Sequence, residues 1–175
     1  MNDSSKALPS PTTSCATSAD SPAIARLLVE AFEEYRSLYT LEGFAATTPA
    51  ADVIAARMAE GPVWIVIEEN AIVGTLGAIA KGDDLYLRSM AVSPRARGRK
   101  IGWHLLETAS LFAGDRDLVL STTPFLDRAI ALYERWGFRH TDEPPHDLFG
   151  TPLFTMRKKC SVLSARCSVL GFTKH

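Results

Sequence analysis

The stretch Met90-Ala91-Val92-Ser93-Pro94-Arg95-Ala96-Arg97-Gly98-Arg99-Lys100-Ile101-Gly102 joins the end of an apolar strand, a loop of arginines and glycines, and the start of a helix. That order has a chemical meaning. The first N–H groups of a helix have no internal partners and lie at the positive end of the helix dipole. Such a terminus binds anions and suits a diphosphate. Gly98 and Gly102 keep a Cβ out of the way of an approaching anion. Five basic residues, Arg88, Arg95, Arg97, Arg99 and Lys100, lie between Leu87 and Gly102 with no acidic residue among them. A solvated basic loop is the bland alternative, and the strand before and helix after weigh against it.

The flanking sequence supplies the elements that must hold this loop. Ser21-Pro22 opens a helix, with Asp20 or Ser21 as its cap. Ile24, Leu27, Leu28, Ala31, Phe32, Tyr35, Leu38 and Tyr39 recur at helical spacing and form its apolar face. Gly43 and Thr47-Thr48-Pro49 break the pattern, and a second helix is expected from about Ala50 to Ala59. Val63–Glu68 and Ala71–Ile79 read as a hairpin turning at Glu69-Asn70. In the next strand, Leu85, Leu87 and Ser89 are expected on one face and Tyr86, Arg88 and Met90 on the other. A helix follows from about Gly98 to Ala113, then a short buried strand at Asp117–Ser121. Thr123 is expected to cap a helix with Pro124 in its first turn; that helix carries Leu126, Ala129, Ile130, Tyr133 and Trp136 and ends at Gly137. Residues 138–141 and 153–157 read as closing strands around a loop that holds His146. This order predicts an α/β domain with a mixed, mostly antiparallel central sheet and helices on both faces. Residues 1–18 are expected to be a disordered leader, 19–158 the domain, and 159–175 an extension in which Cys-Ser-Val-Leu occurs at Cys160 and again at Cys167.

The loop resembles the GNAT acetyltransferase superfamily. That family's signature, (Arg/Gln)-x-x-Gly-x-(Gly/Ala) after a hydrophobic strand and Val-x-Pro, is matched by Val92-Ser93-Pro94 and Arg97-Gly98-Arg99-Lys100-Ile101-Gly102, with Lys100 in place of the middle glycine. A second signature, Ala-x-x-Leu-Tyr-x-x-x-Gly-Phe, is matched by Ala129-Ile130-Ala131-Leu132-Tyr133-Glu134-Arg135-Trp136-Gly137-Phe138. Leu126 stands where the family commonly has an asparagine. The resemblance implies a sheet splayed at its parallel pair, with acetyl-CoA as cosubstrate and no metal. It implies cofactor binding by Met90, Ala91, Val92, Arg97, Gly98, Arg99, Lys100, Ile101 and Gly102. The backbone N–H of Val92 would hold the oxyanion and Tyr133 would be the acid that protonates the leaving thiolate. Phe32, Tyr35 and Tyr39 would line the acceptor side, with His146 bordering it. Read from the residues alone, Tyr133 is first a member of a core stripe. Glu33, Glu34, Glu68, Asp147 and His146 are candidate general bases, and the sequence does not choose among them.

Composition narrows the alternatives. The chain has 175 residues, 46% of them hydrophobic and 22% charged, with a net charge of −1. That balance fits one soluble domain and favours neither nucleic acid nor an anionic membrane as partner. The first residues lack the basic start and apolar run of a secretory signal, so a cytoplasmic protein is expected. Three scattered cysteines suit a reducing compartment. The expected activity is acetylation of an amine, of a small molecule first, with a protein N-terminus or lysine as the nearest rival. An acidic, open groove would favour a lysine-bearing peptide and a closed pocket a metabolite. A non-catalytic acetyl-CoA sensor is the alternative from another class. Dimers are common in the family, so a homodimer is among the expected states.

Overall fold

A computed structural model of the chain describes residues 11–160. The elements run β1 (Thr13–Cys15), α1 (Ser21–Phe32), α2 (Leu41–Thr47), α3 (Ala51–Met58), β2 (Val63–Glu68), β3 (Ala71–Lys81), β4 (Asp84–Val92), α4 (Ile101–Ala113), β5 (Asp117–Thr122), α5 (Asp127–Trp136), β6 (Arg139–His140), β7 (His146–Leu148) and β8 (Thr151–Lys158). The strands form one sheet in the order β1-β2-β3-β4-β5-β8-β6, with β7 pairing β8. β4 and β5 are its parallel neighbours, and the other pairings are antiparallel. This is the mixed sheet expected from the sequence.

Each face of the sheet has its own core. Leu76, Leu85 and Leu87 pack with Ile101, Leu105 and Leu106 of α4 and with Tyr133 of α5 on one side. Val63, Ile65 and Ala91 pack with Ile24, Leu27 and Leu28 of α1 and Ile54 of α3 on the other. The hairpin turn sits at Glu69-Asn70 as expected, with φ of 49° and 61°, the pair of positive values that a two-residue type I′ turn requires.

The parallel pair is joined at one end only. Its register runs from Asp84↔Asp117 to Leu87↔Leu120, after which β4 continues to Val92 without β5. A bulge lies where the strands part. Gly77 pairs with Arg88 and Thr75 with Ala91, so Ser89 and Met90 together face Leu76, and Ser89 has φ of 53°. An extra residue in one strand bends it and raises its twist. It also shifts the alternation by one. Met90 and Val92 pack on the α4 side with Leu85 and Leu87, not on the face of Tyr86 and Arg88 that simple alternation assigns to Met90.

Other expectations need correction. α1 does not run on to Tyr39; it tightens into a 3-10 turn over Glu33–Leu38. A separate helix, α2, follows despite Gly43. Thr40 caps it by accepting from the Gly43 N–H at 3.0 Å. A Cβ at Gly43 would lie 2.5 Å from Thr151 Oγ1, so the glycine permits the helix to close on β8. Thr123-Pro124 forms a turn, with the Leu126 N–H donating to the Thr123 carbonyl, and α5 starts only at Asp127. Within the expected leader, Thr13–Cys15 adds an edge strand to β2. Within the expected extension, the Cys160 N–H donates to Asp117 at 2.8 Å. Residues 1–10 and 161–175, including the second Cys-Ser-Val-Leu, lie outside the described residues.

Charge fastens the joined end of the parallel pair. Asp84 and Asp117 face each other across β4 and β5, and Arg157 of β8 bridges them, with contacts of 2.9 Å to Asp84 Oδ2 and 3.0 Å to Asp117 Oδ2. Burial opposes ionisation of Asp117, but the Cys160 N–H, Arg157 and Lys159 outweigh it and hold its carboxyl below the usual carboxylate value. A depressed carboxyl contributes stability at pH above its unfolded value and loses it as pH falls through its folded one. Asp117→Asn should therefore be less stable than wild type at pH 7, by about 2 kcal/mol. In urea titrations the gap should close as pH is lowered below 3.8. A gap independent of pH would show that the carboxylate charge is not what stabilises this end.

Candidate active site

The divergence of β4 and β5 leaves two cavities that meet inside the sheet. The first, of about 730 Å³, lies against the β4 edge and the start of α4. The second, of about 330 Å³, lies between β4, β5, α3 and the β7–β8 hairpin. Phe32, Met90, Leu126 and Tyr133 line both, and so mark the junction.

The first cavity has the attributes of an anion site with an apolar arm. Met90, Ala91, Val92, Arg97, Gly98, Lys100, Ile101 and Gly102 all line it. No side chain caps α4, and its first carbonyl acceptor, Lys100, is reached only by the His104 N–H, so the first-turn N–H groups lack intrahelical partners. The Ser93 N–H donates to Val73 at 2.8 Å, so strand alternation aims the Val92 N–H at the opposite, unpaired edge. Neither cavity has an Asp or Glu in its lining.

The basic loop is less free than its composition implies. Arg97 pairs with Glu34, which also holds Arg128 of α5 at 3.1 Å, and Arg95 pairs with Glu30 at 3.5 Å. Arg99 departs from expectation. It turns to Glu68 of β2 at 2.7 Å and to the Arg95 carbonyl, and it does not line the cavity. The turn geometry gives the reason: Gly98 and Lys100 are both left-handed, with φ of 78° and 62°, and the residue between them is carried outward. Gly102 lines the cavity and has a packing role as well. A Cβ there would lie 2.7 Å from Leu132, so it lets α4 approach α5.

The acceptor-side residues divide between the cavities. Phe32 lines both, Tyr39 only the second and Tyr35 only the first. His146 is exposed on β7 and lines neither. None of the proposed bases lines a cavity: Glu33 pairs with Arg36, Glu34 with Arg97, Glu68 with Arg99, and Asp147 accepts from the Gly150 N–H in a turn. Tyr133 is buried at the junction, where burial pushes its phenol far above the ordinary value and Tyr39 pushes the same way. The hydroxyl therefore stays protonated through neutral pH.

Sequence reasoning passed over Arg57 and Arg88, which enter the second cavity from α3 and β4. Arg57 was legible in principle: it lies three residues after buried Ile54, on a helix face that a guanidinium does not enter without cause. Among the described residues no helix is long and apolar enough to cross a membrane. Nor does any group of three or more His, Cys, Asp or Glu residues gather to hold a metal ion among them.

A sheet opened along one strand edge, with a helix start at one cavity and a buried phenol at the junction, defines an acyl-CoA N-acyltransferase. Comparison with known proteins agrees. The domain family described as acetyltransferase (GNAT) matches residues 59–140. The chain is 34% identical over 133 residues to YjgM of Escherichia coli, an uncharacterized N-acetyltransferase, covering 70% of this chain and 78% of that one. Its fold is similar to PaiA N-acetyltransferase of Thermoplasma acidophilum in complex with coenzyme A, at a TM-score of 0.74 and 16% identity over 86% of this chain and 99% of that one. It is also similar to a histone acetyltransferase HPA2-related protein of Corynebacterium glutamicum, at a TM-score of 0.62 and 28% identity over 87% and 98%. The chain belongs to the GNAT family and is an acetyl-CoA-dependent acetyltransferase.

The two left-handed residues of the loop should respond oppositely to substitution. Gly98→Ala places a Cβ in a left-handed conformation with nothing within 4 Å to hold or resist it, and should cost about 1 kcal/mol. Lys100→Gly relieves the same kind of strain and should gain about 0.5 kcal/mol once the unfolded chain's added freedom is subtracted. Urea unfolding of the two variants measures both signs; a stabilised Gly98→Ala would contradict the geometry.

Proposed function

We propose that the chain transfers the acetyl group of acetyl-CoA to the primary amine of a small molecule by direct attack. The observation that carries this reading is the meeting of two cavities at Tyr133. The larger suits an elongated anionic cosubstrate and the smaller a compact acceptor. A volume of about 330 Å³ is at the small end of ligand sites, suited to a metabolite. The lining carries two guanidiniums and no carboxylate, the opposite of the acidic groove that a lysine-bearing peptide would favour.

Each residue then has a task. The N–H groups at the start of α4, with Lys100 and Arg97 beside them, hold the diphosphate. The free edge of β4 at Met90–Val92 accepts the pantetheine arm as an added strand. Acetyl-CoA supplies the acetyl group as a thioester, a carbonyl activated toward amines. The Val92 N–H, fixed by the strand, stabilises the negative charge that develops on that carbonyl oxygen. The attacking nitrogen forms its bond to carbon, the carbon–sulfur bond breaks, and Tyr133 delivers its proton to the departing sulfur. The amine's own proton leaves to water or a polar group of the second cavity, since no carboxylate lines it.

The reading is tested by thermal stabilisation with acetyl-CoA, followed by coenzyme A release against a panel of amines. A ligand that binds the folded state must raise the melting point. Tyr133→Phe should keep that stabilisation and lose about 10²- to 10⁴-fold in turnover. Unaltered turnover in this variant would remove Tyr133 as the acid. A wild-type protein that binds acetyl-CoA but acetylates no amine would instead be a sensor.

A further inference from the structure

The second cavity has a charge that the general reaction does not require. Arg57 lies in the last turn of α3, half-buried, and Arg88 follows on β4. Arg88 is accounted for: its Nη1 pairs with Glu60 at 2.6 Å and its Nη2 donates to the Arg57 carbonyl at 3.2 Å. Arg88 thus braces the end of α3 and fixes the segment that carries Arg57. Arg57 makes no ion pair among the described residues. It donates to Ser89 Oγ at 3.1 Å, at the bulge where the strands part, and lines the cavity together with Ser121 and Thr122. Burial and the neighbouring Arg88 both work against its charged form. A guanidinium stays charged in such a place and keeps donors to spare.

A planar cation with unused donors, in a cavity without a carboxylate, is the complement of a carboxylate or phosphonate. We infer that the acceptor is an amine that also bears an anionic group, an amino acid or a similar amino acid-like molecule, and that Arg57 is the specificity-determining residue that receives the anion. The inference rests on the N-acetyltransferase reading of the same site and narrows its substrate class. Polyamines, aminoglycosides and other acceptors with several positive charges are opposed by Arg57, which has no carboxylate partner among the described residues. A zwitterionic acceptor is anchored at its anionic end by Arg57, leaving its amine to reach toward Tyr133 and the free edge of β4.

The test uses the full chain and acceptors in matched sets: α- and ω-amino acids, their carboxamides, and diamines of similar length, with coenzyme A release as the readout. The carboxylate members should be preferred over the matched amides by roughly 100-fold in kcat/KM, because a site built to pair an anion is left unpaired by the neutral analogue. Arg57→Leu should raise KM for carboxylate acceptors far more than it lowers kcat, and should bring the carboxylate-to-amide ratio toward one. Arg57→Lys should restore part of the preference, since it keeps the charge and loses the fork. Thermal stabilisation by acetyl-CoA in each variant shows that the fold and first cavity survive. Wild-type turnover of amides or diamines equal to that of the amino acids would overturn this inference and leave the acetyltransferase reading standing. Binding of acetyl-CoA without coenzyme A release for any amine, whatever its charge, would overturn both.

Discussion

The structure depends on one extra residue in β4. Ser89, left-handed at the bulge opposite Leu76, bends the strand just after its last pair with β5. The strands part there, and the two cavities lie where β4 runs on without β5. The bulge also re-aims the following residues. Met90 and Val92 turn to the α4 face, and the unpaired edge of β4 is left facing the cavity that suits the cosubstrate. The same residue accepts from Arg57, so opening the sheet and placing the acceptor-side cation come from one local event. At the other end, Arg157 between Asp84 and Asp117 resists further separation. The sheet is therefore fastened below and open above, a geometry set by backbone and charge together.

Electrostatics around the first cavity are arranged as struts more than as a field. Glu30 and Glu34, on and just after α1, take up Arg95, Arg97 and Arg128, while Glu68 on β2 takes up Arg99. Exposed pairs of this kind contribute little stability one by one. Their effect is positional: the loop between β4 and α4 is tied to α1, to β2 and, through Glu34, to α5. With the arginines engaged, the anion-binding capacity of this cavity falls mainly on the uncapped helix start and on Lys100. The helix start is fixed backbone and depends on no long side chain finding its place.

Much of this was legible in the sequence, and the reasons differ by element. The hairpin at Glu69-Asn70, the α4 helix and the left-handed Gly137 after α5 are local consequences of residue type. The cosubstrate side was legible for the same cause, since a strand, a glycine loop and a helix start are contiguous in the chain. What was not legible depends on contacts between distant segments. Gly43 breaks helices in isolation, yet α2 forms because Thr40 caps it and Thr151 needs the space. Thr123-Pro124 has the composition of a helix start, but the chain completes a turn there first. Arg99 looked equivalent to Arg97 until the two left-handed residues around it set its direction. Arg57 and Arg88 are 31 residues apart and meet only across the folded sheet.

That separation matters for the chemistry. The proton on the acceptor amine must leave before attack, and none of the candidate bases lines a cavity: the carboxylates are held in ion pairs or a turn, and His146 is exposed on β7. A protein can meet this need in two ways: by placing a base, or by making the ammonium form less favourable where the amine must sit. Nearby positive charge does the second, because like charges lower the pKa of an ammonium. On the proposed reading Arg57 supplies such charge from the wall of the second cavity, whereas the charge of Arg88 is paired with Glu60. On the proposed mechanism Tyr133, kept protonated by burial, provides the complementary half of the proton balance at the sulfur. An acceptor that brings its own anion offsets part of the positive field while its amine remains in the apolar junction. On that reading the one guanidinium of Arg57 holds one end of the molecule and favours the reactive form of the other.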